Sequence, residues 1–204
     1  MNASGSGQYV MTDVYNCDAM RTSVLTRLGF ERYRTWDHVN ERALDGPIDS
    51  PRIPDGFVVR SARMSDADQL AIARFHSFGE DWTGDLYRST VMEKPGYDPH
   101  REIVIESPDG GIAAFTVYWI DERNKIGHFE PVGTHRDFQR RGLARAALLY
   151  AMTQMRALGM TTVTVNHSAE NIAALKLYES LGFKKKYETY GFRLPLSAMG
   201  VSRP

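Results

Sequence analysis

Between Ile103 and Phe192 the chain alternates apolar runs and turn residues in an order that few folds accept. Ile103-Val104-Ile105 and the run at 112–120 flank the turn Pro108-Asp109-Gly110-Gly111, and a second turn at 121–125 leads into a third run from 126 to about 133. These are successive antiparallel hairpins. After them the period changes. Leu143, Ala147, Tyr150 and Met155 keep helical spacing within 140–158, and Gly159 stops that helix. A β-branched strand at 161–165, a helix at 170–181 ending at Gly182 and a strand at 183–192 complete the passage. Hairpins followed by strand-helix-strand-helix-strand predict an α/β fold whose sheet is only partly parallel. Upstream, 57–60 reads as a strand and 65–78 as a capped helix, with a further helix around 87–92.

The 204 residues are more than one domain of ordinary size and fewer than two. Residues 45–56 hold Pro47, Pro51 and Pro54 among glycine and aspartate and read as a linker. Residues 1–8 are small and polar, a flexible leader or a tag, and 197–204 read as a tail. Lysine plus arginine balance aspartate plus glutamate at 25 each. No global field then attracts nucleic acid or an anionic membrane, and any anion site must be local. No apolar run is long enough to span a membrane. A lone Cys17 excludes an intrachain disulfide framework and fits a reducing, cytoplasmic setting; no metal site is expected.

Three features carry chemistry. Gln139-Arg140-Arg141-Gly142-Leu143-Ala144 lies between a strand and a long helix. A helix start offers unpaired amides and the positive end of the macrodipole, Gly142 and Ala144 allow close approach, and Arg140, Arg141 and Arg145 add charge, which together suit a phosphate. In the strand before it, Pro131 cannot donate to a ladder and marks a bulge or an edge. Without a bulge, His128, Glu130 and Val132 would share one face, and an ionisable pair facing a cleft is an acid/base candidate. Third, Asn171, Ala174 and Tyr178 lie at i, i+3 and i+7, on one helical face that suits contact with an extended ligand.

Taken in order, a bulged strand, Q/R-x-x-G-x-G/A at a helix start, a strand, and N-x-x-A-x-x-x-Y ahead of Leu181-Gly182-Phe183, these features resemble the acyl-CoA site of the GNAT superfamily of N-acetyltransferases. The resemblance implies a mixed, partly parallel sheet of six to seven strands with about four helices, splayed at its fourth strand, over residues 57–196. It implies acetyl-CoA as acyl donor. Backbone groups of Val132 and Thr134 would pair with the pantetheine arm, Gln139, Arg140, Arg141, Gly142, Leu143, Ala144 and Arg145 would form the pyrophosphate loop, and Asn171 and Ala174 would contact the pantetheine region. Tyr178 would protonate the departing thiolate, and Glu130, with His128 as the alternate, would take the proton from the acceptor. Ala144 replaces a frequent glycine and Arg136 a frequent proline; neither change removes a donor that the phosphates need.

The activity so implied is direct acetyl transfer to a primary amine of a small molecule or peptide, the alternative being a non-catalytic acyl-CoA binding or sensing module. Acceptor contacts fall on His76, Trp82, Tyr87 and Tyr118, with Trp119 as a further wall. Residues 9–44 present a smaller puzzle. Leu28-Gly29-Phe30 echoes Leu181-Gly182-Phe183, each preceded by helical spacing and followed by an aromatic-rich extended run. The segment thus resembles the closing helix and strands of another GNAT unit. Such a piece buries too little to stand alone. Val24, Leu25, Leu28, Phe30 and Trp36 are expected to pack on the C-terminal domain or on a second chain, as in a homodimer.

Overall fold

The computed structural model describes residues 8–199; of the expected leader (1–8) and tail (197–204), residues 1–7 and 200–204 lie outside the described residues, Gln8 accepts from the Leu196 amide, and Leu196–Met199 form a 3-10 turn. Strands and helices follow in the order β1 (Tyr9–Tyr15), α1 (Ala19–Arg27), β2 (Glu31–Ala43), β3 (Val58–Ser61), α2 (Ala67–Phe78), α3 (Gly84–Tyr87), β4 (Glu102–Glu106), β5 (Ile112–Asp121), β6 (Ile126–Thr134), α4 (Leu143–Ala157), β7 (Thr162–Ser168), α5 (Ile172–Ser180) and β8 (Lys184–Pro195). The fold is α/β with mixed strand pairing. Among the described residues its eight strands and five α-helices exceed the expected six to seven and about four, because the segment before the linker adds β1, β2 and α1. The expected helix at 87–92 is instead the short α3 followed by a single π-turn, Arg88–Met92.

Two compact units divide the chain. The larger comprises Glu41–Val165 and Ser180–Gly182. In it β3, β4, β5 and β6 pair antiparallel in sequence order, and β6 then pairs parallel with β7. Strand β4 is buried almost throughout, which requires cover on both faces. On one face α2 presents Ala67, Leu70, Ala71 and Ala73 to Val104, Ile112 and Phe115. On the other, α4 brings eight buried residues at helical spacing, from Leu143 to Met155.

The smaller unit comprises residues up to Asn40, Asn166–Glu179 and the chain from Phe183 onward. Here β8 lies between β1 and β2, with β1 antiparallel to it from Tyr9↔Pro195 to Tyr15↔Thr189. Trp36 closes over Gly191, where an added Cβ would come within 2.5 Å of the indole nitrogen. The first strands therefore pack on the last strand of the same chain. Of the five residues expected to pack on the C-terminal domain or on a second chain, Val24 and Leu28 are exposed in the single chain, 39% and 63%.

Candidate active site

Strand β6 is where the larger unit departs from regular pairing. Its register with β5 runs Phe129↔Tyr118 and then Val132↔Thr116, so Glu130 and Pro131 share one partner position, that of Val117. This is the β-bulge that Pro131 foretold. Thr116 Oγ1 donates to the Pro131 carbonyl at 3.0 Å and the Trp119 indole donates to the Glu130 carbonyl at 2.9 Å. The extra residue reverses the strand's faces. Gly127, before it, lies against Met155 of α4, whereas Gly133, an even number of residues later, lies against Phe115 and Ser77 on the α2 side. His128 and Val132 therefore do not share a face, since the bulge removes the condition on which that alternation depended; His128 stays opposite Trp119.

The same register turns the backbone outward. The His135 amide donates to the Ala113 carbonyl, and alternation along an antiparallel ladder then makes Gly133 and Phe115 the next bonded pair. Val132 and Thr134 point their N–H and C=O groups to the opposite edge. On that edge the parallel ladder with β7 stops at Phe129↔Val165. The sheet is thus splayed at β6, with an edge from Glu130 to Thr134 beyond the last ladder pair.

Past this edge a 3-10 turn, Arg136–Phe138, leads into the loop before α4. The helix begins at Leu143 rather than at Arg140, because Arg140 and Gly142 both adopt left-handed backbone (φ 64° and 77°). Left-handed residues on either side of Arg141 hold the loop out of the helix, and the first amides of α4 have no partner within the helix. The first turn of α4 carries no acid. Gly142 has open space around its missing Cβ, so its glycine is required by φ rather than by crowding. Leu143 is buried and offers the loop only its amide. Arg141 lies over the Phe138 ring at 5.3 Å, and Arg145 pairs with Asp49 at 2.8 Å.

His128 is fixed at one nitrogen. Thr164 Oγ1 lies 2.8 Å from His128 Nδ1 and 3.2 Å from the Gly127 carbonyl. With the hydroxyl proton on the carbonyl, Thr164 accepts from Nδ1–H and the Nε2 lone pair is basic. Burial holds the ring's pKa below the usual histidine value, so at neutral pH it is uncharged. Glu130, on the bulge, is exposed. Thr164 was not singled out from sequence, since a threonine in a β-branched strand carries no signal of its own.

In the smaller unit, Asn171 Oδ1 accepts from the Ala174 amide at 3.0 Å and caps α5. Tyr178 is buried, its ring 5.7 Å from that of His167 and 5.8 Å from that of Phe183.

The expected acceptor residues divide. His76 stacks on His135 with ring centroids 3.9 Å apart, and the Trp82 indole donates to Glu80, which also holds Arg74. Tyr87 and Tyr118 are core residues, 0% and 2% exposed, and so do not form walls of an open groove. Tyr87 instead donates to Glu102 at 2.7 Å, and the Tyr97 hydroxyl donates to the other carboxylate oxygen. Sequence reading passed over Glu102, a wholly buried carboxyl whose pKa burial pushes up. Among the described residues no group of three or more His, Cys, Asp or Glu could hold a metal ion, and no helix is long and apolar enough to cross a membrane.

Comparison with known proteins gives a consistent answer. Residues 68–183 match the model of the acetyltransferase (GNAT) family. A mycothiol acetyltransferase of Nocardiopsis dassonvillei is 32% identical in a 163-position alignment that covers 68% of this chain and 48% of that protein; the chain spans about half the length of the curated relatives it matches. Among solved structures, a GCN5-related N-acetyltransferase from Sphaerobacter thermophilus superposes with a TM-score of 0.74 at 20% identity, covering 93% of this chain and 60% of that one. A tandem GNAT protein from the clavulanic acid biosynthesis pathway gives 0.71 at 14% identity, over 96% and 65% of the two chains.

Proposed function

Because the chain belongs to the acetyltransferase (GNAT) family, we propose that it moves an acetyl group from acetyl-CoA directly to a primary amine of a small molecule. The observation that carries this reading is the outward-turned backbone of Val132 and Thr134 at the splayed edge of β6, next to the left-handed loop that opens α4. The edge takes the amide groups of the pantetheine arm as an added strand would, and the amides of 140–145 take the pyrophosphate. Gln139, Arg140 and Arg141 flank those phosphates.

An alkylamine is protonated at neutral pH and must lose a proton before it attacks. Of the two candidate bases we take His128 first, since Thr164 bonds one of its nitrogens and burial keeps the ring neutral; Glu130 is the second. Nε2 takes the ammonium proton, the amine nitrogen bonds to the thioester carbonyl carbon, the carbon–sulfur bond breaks, and the acylated nitrogen releases its second proton, which replaces the one that Tyr178 gives up. The Val132 amide stabilises the oxygen on which negative charge develops, and the Tyr178 phenol returns a proton to the thiolate. Holding both reactants on one strand supplies the orientation advantage. A small-molecule acceptor agrees with the relatives named mycothiol acetyltransferase, and the single cysteine agrees with a cytoplasmic setting.

Free thiol released from acetyl-CoA, measured across a panel of amino sugars, aminated antibiotics and peptides, tests the proposal. Acceptor-dependent release above the hydrolysis background is expected. Tight CoA binding with no release for any amine would instead favour a binding or sensing module.

A further inference from the structure

The segment between Asp45 and Gly56, a linker by composition, is fastened along α4. Arg156 Nη1 donates to the Gly46 carbonyl at 3.2 Å, Arg42 Nη2 donates to the Pro47 carbonyl at 2.8 Å, and Arg145 Nη2 reaches Asp49 at 2.8 Å. Arg156 lies in the last turn of α4 and Arg145 in the first, so the segment runs toward the N-terminal end of the helix. It leaves beside the turn that precedes the loop, where the Phe57 ring meets Phe138 edge-on at 5.8 Å. Residues 50–56 are thus held at both ends against the surroundings of the phosphate loop.

The space they enclose is cationic. A cavity of about 500 Å³ is lined by Asp49, Ser50, Pro51, Arg52 and Arg145. A second, of about 240 Å³, shares Asp49 and Arg145 and adds Arg42. Arg42 has its pKa held down by burial and by the neighbouring Arg145 and Arg156, with Asp49 acting the other way. One carboxylate therefore serves several guanidinium groups. That carboxylate is on the surface, its side chain 70% exposed, so little is lost when another anion replaces it on Arg145.

We propose that this segment is the outer wall of the donor site, and that Arg52, Arg145 and the Ser50 hydroxyl hold a phosphomonoester there, namely the 3′-phosphate on the adenosine of acetyl-CoA. The inference rests on the acetyl-CoA reading above. The α4 amides and the Arg145 side chain start from the same helical turn, so a donor whose pyrophosphate lies on those amides carries its third phosphate into the adjoining cationic cavity. Two guanidinium groups and a hydroxyl match a phosphomonoester dianion in charge and in donors. Asp49 holds Arg145 in place until the phosphate replaces it.

Calorimetric titration with CoA and with 3′-dephospho-CoA tests this without knowledge of the acceptor. The parent protein is expected to bind CoA about tenfold more tightly than the dephospho form. Arg52→Ala, a change at an exposed position, should weaken CoA about tenfold and leave 3′-dephospho-CoA unchanged. Asp49→Asn should tighten CoA more than 3′-dephospho-CoA, since it removes the competing anion. Inorganic phosphate at millimolar concentration should weaken CoA binding in the parent and not in Arg52→Ala. Equal affinity of the parent for the two ligands, or an equal loss for both in Arg52→Ala, would overturn the inference while leaving the acetyl-CoA reading standing. No binding of either ligand would overturn both.

Discussion

The chemistry assigned to His128 depends on one hydroxyl proton. With the Thr164 proton on the Gly127 carbonyl, the hydroxyl accepts from Nδ1–H and the basic nitrogen of the imidazole is Nε2. Thr164→Val removes the acceptor, leaves Nδ1–H unpaired in a half-buried place and frees the ring to adopt either tautomer. We expect kcat/KM to fall roughly tenfold, well short of the ~10²–10⁴ that general base catalysis contributes, with CoA affinity unchanged and activity restored by Thr164→Ser. The pH profile separates the two candidate bases. The parent's kcat/KM should rise through an ionisation below the usual histidine value, in the direction that burial moves His128. If that limb survives unchanged in His128→Gln and disappears in Glu130→Gln, the base is Glu130.

At the scale of elements, β6 shows how one inserted residue organises a site. The bulge at Glu130 and Pro131 moves the side chains before and after it to opposite faces, and so Gly127 faces α4 while Gly133 faces α2. Both glycines exist because something comes close, and the two neighbours differ in compliance. A Cβ at Gly127 meets the end of Met155, whose thioether can swing aside. At Gly133 it would lie 2.4 Å from Cζ of Phe115, a wholly buried ring. Gly133→Ala should therefore cost about 2 kcal/mol and Gly127→Ala less than half of that, read as unfolding midpoints in urea. Equal costs would mean that the core around Phe115 yields as readily as methionine does. The α4 loop follows a different rule. Gly142 is uncrowded and left-handed, so its requirement is conformational.

Across the whole molecule, burial lowers the pKa of His128, His135 and His38. In the unfolded chain each histidine ionises near 6.5. Just below that pH the unfolded state binds more protons than the folded one, and stability falls as pH drops. Melting temperature should thus decline between about pH 7 and 5, less steeply in His128→Gln than in the parent; identical slopes would remove His128 from that account. The raised pKa of Glu102 works in the opposite sense above the usual glutamate range, where the unfolded carboxyl releases its proton first.

Much of this was legible in the sequence because it is written in local, periodic or stereochemical terms. Hairpin turns, the change from period two to helical spacing, a proline that cannot donate and a glycine at a left-handed position each act within a few residues. They sufficed for the α/β class, the irregular β6 and the loop before α4. What they could not give was pairing between distant segments and the environment of side chains. That Tyr87 and Tyr118 are core residues, that Glu102 is buried beneath two phenols, that Thr164 bonds His128, and that a proline-rich stretch is fastened along a helix all arise between residues far apart in sequence. Binary pattern places a residue on a face; only packing decides what lies opposite it, and desolvation and hydrogen bonding there decide its chemistry. Local pattern thus sets the backbone conformation at β6 and ahead of α4, whereas contacts between distant segments set which side chains stay open and how they ionise.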